Sequence, residues 1–119
     1  MSNLKWNELT SVAQLEEIDQ ISQSQPVLIF KHSIRCSISA ATLNRFESKW
    51  DTAEAGELKP YYLDLITYRE VSNQIAAKYG VNHQSPQAII VVGGKAIFDA
   101  SHFGISFKAV AEHAKLASA

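Results

Sequence analysis

Cys36 is the only cysteine in the chain, and it sits in the stretch Phe30-Lys31-His32-Ser33-Ile34-Arg35-Cys36-Ser37-Ile38-Ser39. The apolar run Val27–Phe30 leads into a short polar turn, and a segment with helical spacing follows the cysteine. That order predicts a thiol where a strand hands over to the first turn of a helix. Open backbone N–H groups and the positive end of the helix dipole favour a thiolate over a thiol at such a position. Arg35 and Lys31 can add positive charge. Ser39 stands where a Cys-x-x-Cys motif carries its second thiol, so the pattern reads as a one-thiol version of a redox motif. The chemistry open to it is thiol–disulfide exchange, in which every disulfide formed is with another molecule.

The bland alternative is a lone cysteine acting as a small buried hydrophobe; the strand-end location and polar neighbours argue for a reactive thiol instead. Length and charge narrow the rest. A chain of 119 residues supports one core and not two, so residues 1–119 are read as a single domain. A net charge of -1 gives no bulk electrostatic case for nucleic acid or an anionic membrane surface. The Met1-Ser2-Asn3 start lacks the basic and apolar regions of a signal peptide, and no apolar run approaches the roughly 20 residues that cross a bilayer. One cysteine suits a reducing compartment, so a cytoplasmic location is expected. The histidines, at 32, 83, 102 and 113, are scattered and give no zinc spacing, so no metal is expected.

The elements that must hold this thiol follow from periodicity and turn chemistry. Ser11-Val12-Ala13-Gln14 has the form of a capping box, and Leu9, Val12, Leu15, Ile18 and Ile21 recur at near-helical spacing up to about Ser22. Val27–Phe30 is continuously apolar, as in a strand covered on both faces. Leu43, Phe46 and Trp50 mark the buried stripe of a helix that begins at Cys36. Asp51–Glu57 reads as a turn containing Gly56. Tyr61, Leu63 and Leu65 alternate along a second strand, parallel to the first because a helix joins them. Thr67-Tyr68-Arg69-Glu70 is a second capping box, opening a helix lined by Val71, Ile75 and Tyr79 and stopped by Gly80. Ala88–Val92, Gly93-Gly94 and Lys95–Phe98 read as a hairpin around a two-glycine turn, and Ser106 caps a last helix. The order combines a βαβ unit with an antiparallel pair, which is an α/β domain with one mixed sheet covered by helices on both faces.

This arrangement resembles the thioredoxin fold, with a four-stranded mixed sheet and an additional N-terminal helix. Cys36 comes straight after the first sheet strand, and Pro86 precedes the third, where thioredoxin-like proteins carry a cis-proline facing the active cysteine. More narrowly, Phe30-Lys31-His32-Ser33 with Cys36-Ser37-Ile38-Ser39, together with Val81-Asn82-His83-Gln84-Ser85-Pro86-Gln87, is similar to the YtxJ-like family of monothiol bacilliredoxins. Two departures are visible: Ser37 stands where that pattern has proline, and Ile34-Arg35 where it has small or hydroxylated residues. The resemblance implies an exchange protein in which Cys36 attacks mixed disulfides between client proteins and a low-molecular-weight thiol. Bacillithiol would be the co-substrate, with no tightly bound cofactor, no nucleic acid and no membrane partner. Ser33, Arg35, Ser37, Ser39, His83, Ser85 and Pro86 would tune the thiolate or bind the thiol. Two rival readings are a non-catalytic thioredoxin-like binding module and a monothiol glutaredoxin carrying an iron–sulfur cluster. Against the second, Ser37-Ile38 replaces the glycine-phenylalanine typical of that group between cysteine and serine.

Overall fold

The computed structural model describes residues 4–118; Met1-Ser2-Asn3 and Ala119 lie outside them. Val27, Leu28, Ile29 and Phe30 are all completely buried. They form most of β2 (Val27–His32), the central strand of the sheet. A strand is apolar at every position only where both its faces are covered. β2 runs parallel to β3 (Lys59–Asp64) and antiparallel to β4 (Gln87–Val92), which pairs in turn with β5 (Lys95–Ser101). Gly93 and Gly94, at φ of 60° and 75°, make the β4–β5 turn with both central residues in the left-handed region, where glycine carries no Cβ penalty.

Alternation along β2 divides the core. Val27 and Ile29 face α1 (Gln14–Ile21) and α4 (Arg69–Tyr79), joining Leu15, Ile18, Val71 and Ile75. Leu28 and Phe30 face the other layer, α2 (Ser37–Lys49), α3 (Thr52–Ala55) and α5 (Phe107–Ser118), joining Phe46, Ala55, Phe107 and Val110. This second layer is rich in rings: Phe46 lies 5.2 Å from Phe30 and 5.9 Å from Phe107, centroid to centroid.

Four local expectations are corrected. The sheet has five strands, because β1 (Asn7–Glu8) pairs parallel to β3 at the edge. It is pinned from either side by Trp6, packed on the aromatic layer, and by Leu9, buried in the opposite one. Leu9 therefore belongs to this edge and not to the first helix, which starts at Gln14. The Asp51–Glu57 turn contains α3, capped by the Asp51 carboxylate accepting from the Ala53 and Glu54 amides. The box at Thr67–Glu70 does not form. Asp64, not Thr67, gathers the chain there, accepting from the Ile66 and Thr67 amides and, at 2.6 Å, from the Thr67 hydroxyl. Those bonds hold the Asp64 carboxyl below its ordinary range against the opposing effect of burial. At the other helix ends, Gly80 closes α4 in the left-handed conformation and the Ser106 hydroxyl accepts from the Ala109 amide ahead of α5.

Candidate functional site

β2 ends at His32, and the chain turns through Ser33–Cys36, closed by the Cys36 amide donating to the Ser33 carbonyl at 3.2 Å. Cys36 is the N-cap of α2, with extended backbone (φ -114°, ψ 118°), and its carbonyl accepts the first helical bond, from Ala40 at 3.0 Å. A helix of 13 residues begins immediately beyond the sulfur-bearing residue. Its open first-turn amides and dipole accommodate negative charge at this end. The thiol is free and partly exposed. Arg35 and Ser37 flank it on the exposed surface and Ser33 is half-buried.

Ser39 is placed differently from Ser37. It is completely buried, its hydroxyl lies 2.7 Å from His32 Nδ1, and it accepts from the Ser33 amide at 3.2 Å. In the Nε2–H tautomer of His32, the Ser39 hydroxyl donates to Nδ1 and accepts from Ser33, so its hydrogen-bonding capacity is directed to the sheet. Ser39 thus fastens the start of α2 to the end of β2. Burial pushes the His32 imidazole below its ordinary range, partly opposed by the charges of Asp64 and Glu47. A neutral ring is the form this bond uses.

The second patch meets the first through strand pairing. Lys31 on β2 is the register partner of Gln87 on β4, so Pro86, one residue earlier, lies beside the end of β2 from which the thiol turn leaves. The Ser85–Pro86 peptide is cis, and Pro86 is buried with its carbonyl accepting from the His102 amide at 3.1 Å. The Ser85 hydroxyl oxygen is buried and has no hydrogen-bond partner among the described residues. His83 is exposed, yet its Nδ1 accepts from Lys31 Nζ at 2.7 Å. The expectation that Lys31 adds charge beside the thiol is therefore replaced by a part-buried contact with His83 on the α4 side of the sheet.

The sequence reading missed the exposed Ile34 and Ile38, on either side of the cysteine in the chain, and the exposed Phe103 on the turn after β5. Ile34 and Ile38 are 55% and 58% exposed, and Phe103 is 84% exposed on a 3-10 turn, His102–Gly104, that packs against α2. Large apolar side chains this exposed were visible as residues, but nothing in their spacing separated them from core positions.

A mixed sheet clothed on both faces, with the chain's one cysteine capping the helix after the central strand, defines a thioredoxin-fold protein. Solved structures agree. A candidate oxidoreductase with a thioredoxin fold is 32% identical over 88% of this chain and 89% of its own, with a TM-score of 0.72. Thioredoxin from Malassezia sympodialis (18% identity, 100% and 96% covered, TM-score 0.72) and from Schistosoma mansoni (20%, 94% and 94%, 0.67) share the fold. The family model described as monothiol bacilliredoxin BrxC matches residues 7–110, and the chain belongs to that family. Membership carries a thiol redox role. Among the described residues no helix is long and apolar enough to cross a membrane.

Proposed function

We propose that this protein removes bacillithiol from mixed disulfides on client proteins, with Cys36 as the nucleophile. The Cys36 thiolate attacks the bacillithiol sulfur of the mixed disulfide. A new disulfide joins Cys36 to bacillithiol, the client sulfur leaves with the electron pair of the broken bond, and it takes a proton from solvent. A second low-molecular-weight thiol then attacks the Cys36 adduct, freeing Cys36 and leaving as the mixed low-molecular-weight disulfide. Electrons therefore come from that external thiol, because the chain has no second cysteine to resolve the adduct.

The observation that carries this reading is the placement of the only thiol, partly exposed at the cap of α2, with the Ser85–Pro86 segment beside the end of β2 from which the thiol turn leaves. Ile34, Ile38 and Phe103 offer apolar contact to a client chain, and the exposed Arg35 can engage a carboxylate of the small thiol. Ser33, Ser37, Ser85 and Pro86 border the approach, whereas Ser39 and His83 act from behind it. A reducing cytoplasm is the setting in which a single unpaired thiol stays available.

The test is release of bacillithiol from a bacillithiolated client peptide, followed by mass. Wild-type protein releases it and Cys36→Ala does not. Equal release by Cys36→Ala, or no release by the wild type combined with slow alkylation of Cys36 by iodoacetamide, overturns the assignment in favour of a binding module.

A further inference from the structure

The exchange reaction has no direct use for Lys31, yet Lys31 is completely buried in the sheet. Burial, reinforced by the nearby Arg69 charge, pushes its ammonium down from 10.5 to about 8. No carboxylate pairs with it among the described residues. An apolar side chain of that length would fill the same space without desolvating a charge. Violations of this kind concentrate at functional positions.

What the lysine reaches is informative. Lys31 continues the Val27–Ile29 stripe of β2, and its register partner Gln87 continues the Ile89–Val91 stripe of β4, so the two polar side chains lie side by side on the α4 face. Both extend to the loop that links α4 to β4. Lys31 Nζ donates to His83 Nδ1 at 2.7 Å, with the Ser72 hydroxyl of α4 3.4 Å from the same nitrogen. Gln87 Nε2 donates to the Asn82 carbonyl at 3.0 Å and its Oε1 accepts from the Gln84 amide at 3.4 Å. The loop residues Asn82, His83 and Gln84 are exposed and belong to no helix or strand. Side chains from beneath hold the loop that leads into Ser85–Pro86.

We propose that Lys31 is a positioning residue for exchange: with Gln87 it clamps the 82–84 loop through His83 and so fixes the Ser85–Pro86 segment beside Cys36. This rests on the exchange reading for its functional consequence, but not for the clamp itself. The groups facing Lys31 are His83 from the loop, Ser72 and Arg69 from α4, Gln87 from β4 and Leu63 from β3.

The experiment compares Lys31→Met, His83→Ala and His83→Asn with wild type, since an asparagine oxygen can replace the accepting Nδ1. Three quantities are read: amide hydrogen exchange across residues 82–87, KM and kcat for a bacillithiolated peptide, and the alkylation rate of Cys36 by iodoacetamide. Lys31→Met and His83→Ala are expected to speed loop amide exchange about tenfold. They should raise KM about fivefold while kcat and alkylation change little. His83→Asn should return loop exchange and KM most of the way to wild type. Unaltered loop exchange in both Lys31→Met and His83→Ala overturns the clamp, as does an Asn variant no better than Ala. A wild type that exchanges no mixed disulfide defeats the functional reading, and the amide data still decide the clamp. Should Lys31→Met fail to fold, the exposed His83 variants give the same answer.

Discussion

Lys31 and His32 are consecutive, both buried and both titratable, yet they serve opposite layers of the molecule. His32 faces α2, where the Ser39 hydroxyl satisfies it and the carboxylates of Asp64 and Glu47 offset part of its burial. Lys31 faces α4, where the charged group that acts on it among the described residues, Arg69, has the same sign and where its bond goes to a loop histidine. The first arrangement ties the thiol turn to the sheet and is a satisfied polar contact. The second ties the proline loop to the sheet while burying an uncompensated charge. Two adjacent tethers in one strand are therefore expected to carry opposite signs in stability.

The largest expected difference tests that sign. Lys31→Met should raise unfolding free energy by about 2 kcal/mol at pH 7, the net of a removed desolvation penalty and a lost hydrogen bond. Urea denaturation measures it, and a loss of similar size would erase the contrast. The pH profile should agree. Between about pH 8 and 10.5 the unfolded chain holds the Lys31 proton and the folded chain does not, so stability climbs with pH in that window. Tyr79 works the other way above about pH 10, because burial and its bond to Asp19 raise its phenol. Denaturation from about pH 7.5 to 9.5 should therefore show a rise in the wild type that is absent in Lys31→Met.

Ser39→Ala should move stability the opposite way, down by about 1–2 kcal/mol, because it strands the His32 nitrogen and the Ser33 amide. A neutral result would mean that water replaces the hydroxyl at no cost. Acid supplies a smaller test of both tethers. His32 and His83 each titrate below the ordinary histidine value, through burial first and, for His83, through Lys31 and Arg69 as well. The unfolded chain takes up those protons near pH 6.5, so stability should fall as pH drops below that value, and less steeply in His83→Asn. The smallest stability effect belongs to the exposed Phe103. Phe103→Ser should change unfolding free energy by under about 0.5 kcal/mol while raising KM for a protein client more than for a small disulfide. Equal effects on both substrates would remove Phe103 from the client surface.

The framework was legible wherever a signal is local. The continuous apolar run of β2, Gly80 ending α4, Gly93-Gly94 turning the hairpin and Ser106 capping α5 each act within a few residues of chain. The thiol's place at the cap of α2 was readable for the same reason. β1 was not, since it comprises only two exposed residues without periodicity and exists because Trp6 and Leu9 anchor on opposite faces. Thr67 looked like a cap from its spacing to Glu70, but Asp64, at the end of β3, takes the amides first. The division of labour between Ser37 and Ser39 was hidden too, because it depends on His32 lying under α2. Lys31 and His83 are 52 residues apart, and only the register of β2 against β4 brings the loop over the lysine.

The sulfur of Cys36 is the proposed acceptor of bacillithiol. Intact mass spectrometry after parallel exposure to bacillithiol disulfide and glutathione disulfide tests it most directly. A single adduct should form, faster with bacillithiol, and be lost in Cys36→Ala. An unmodified wild type, or faster addition of glutathione, would contradict it.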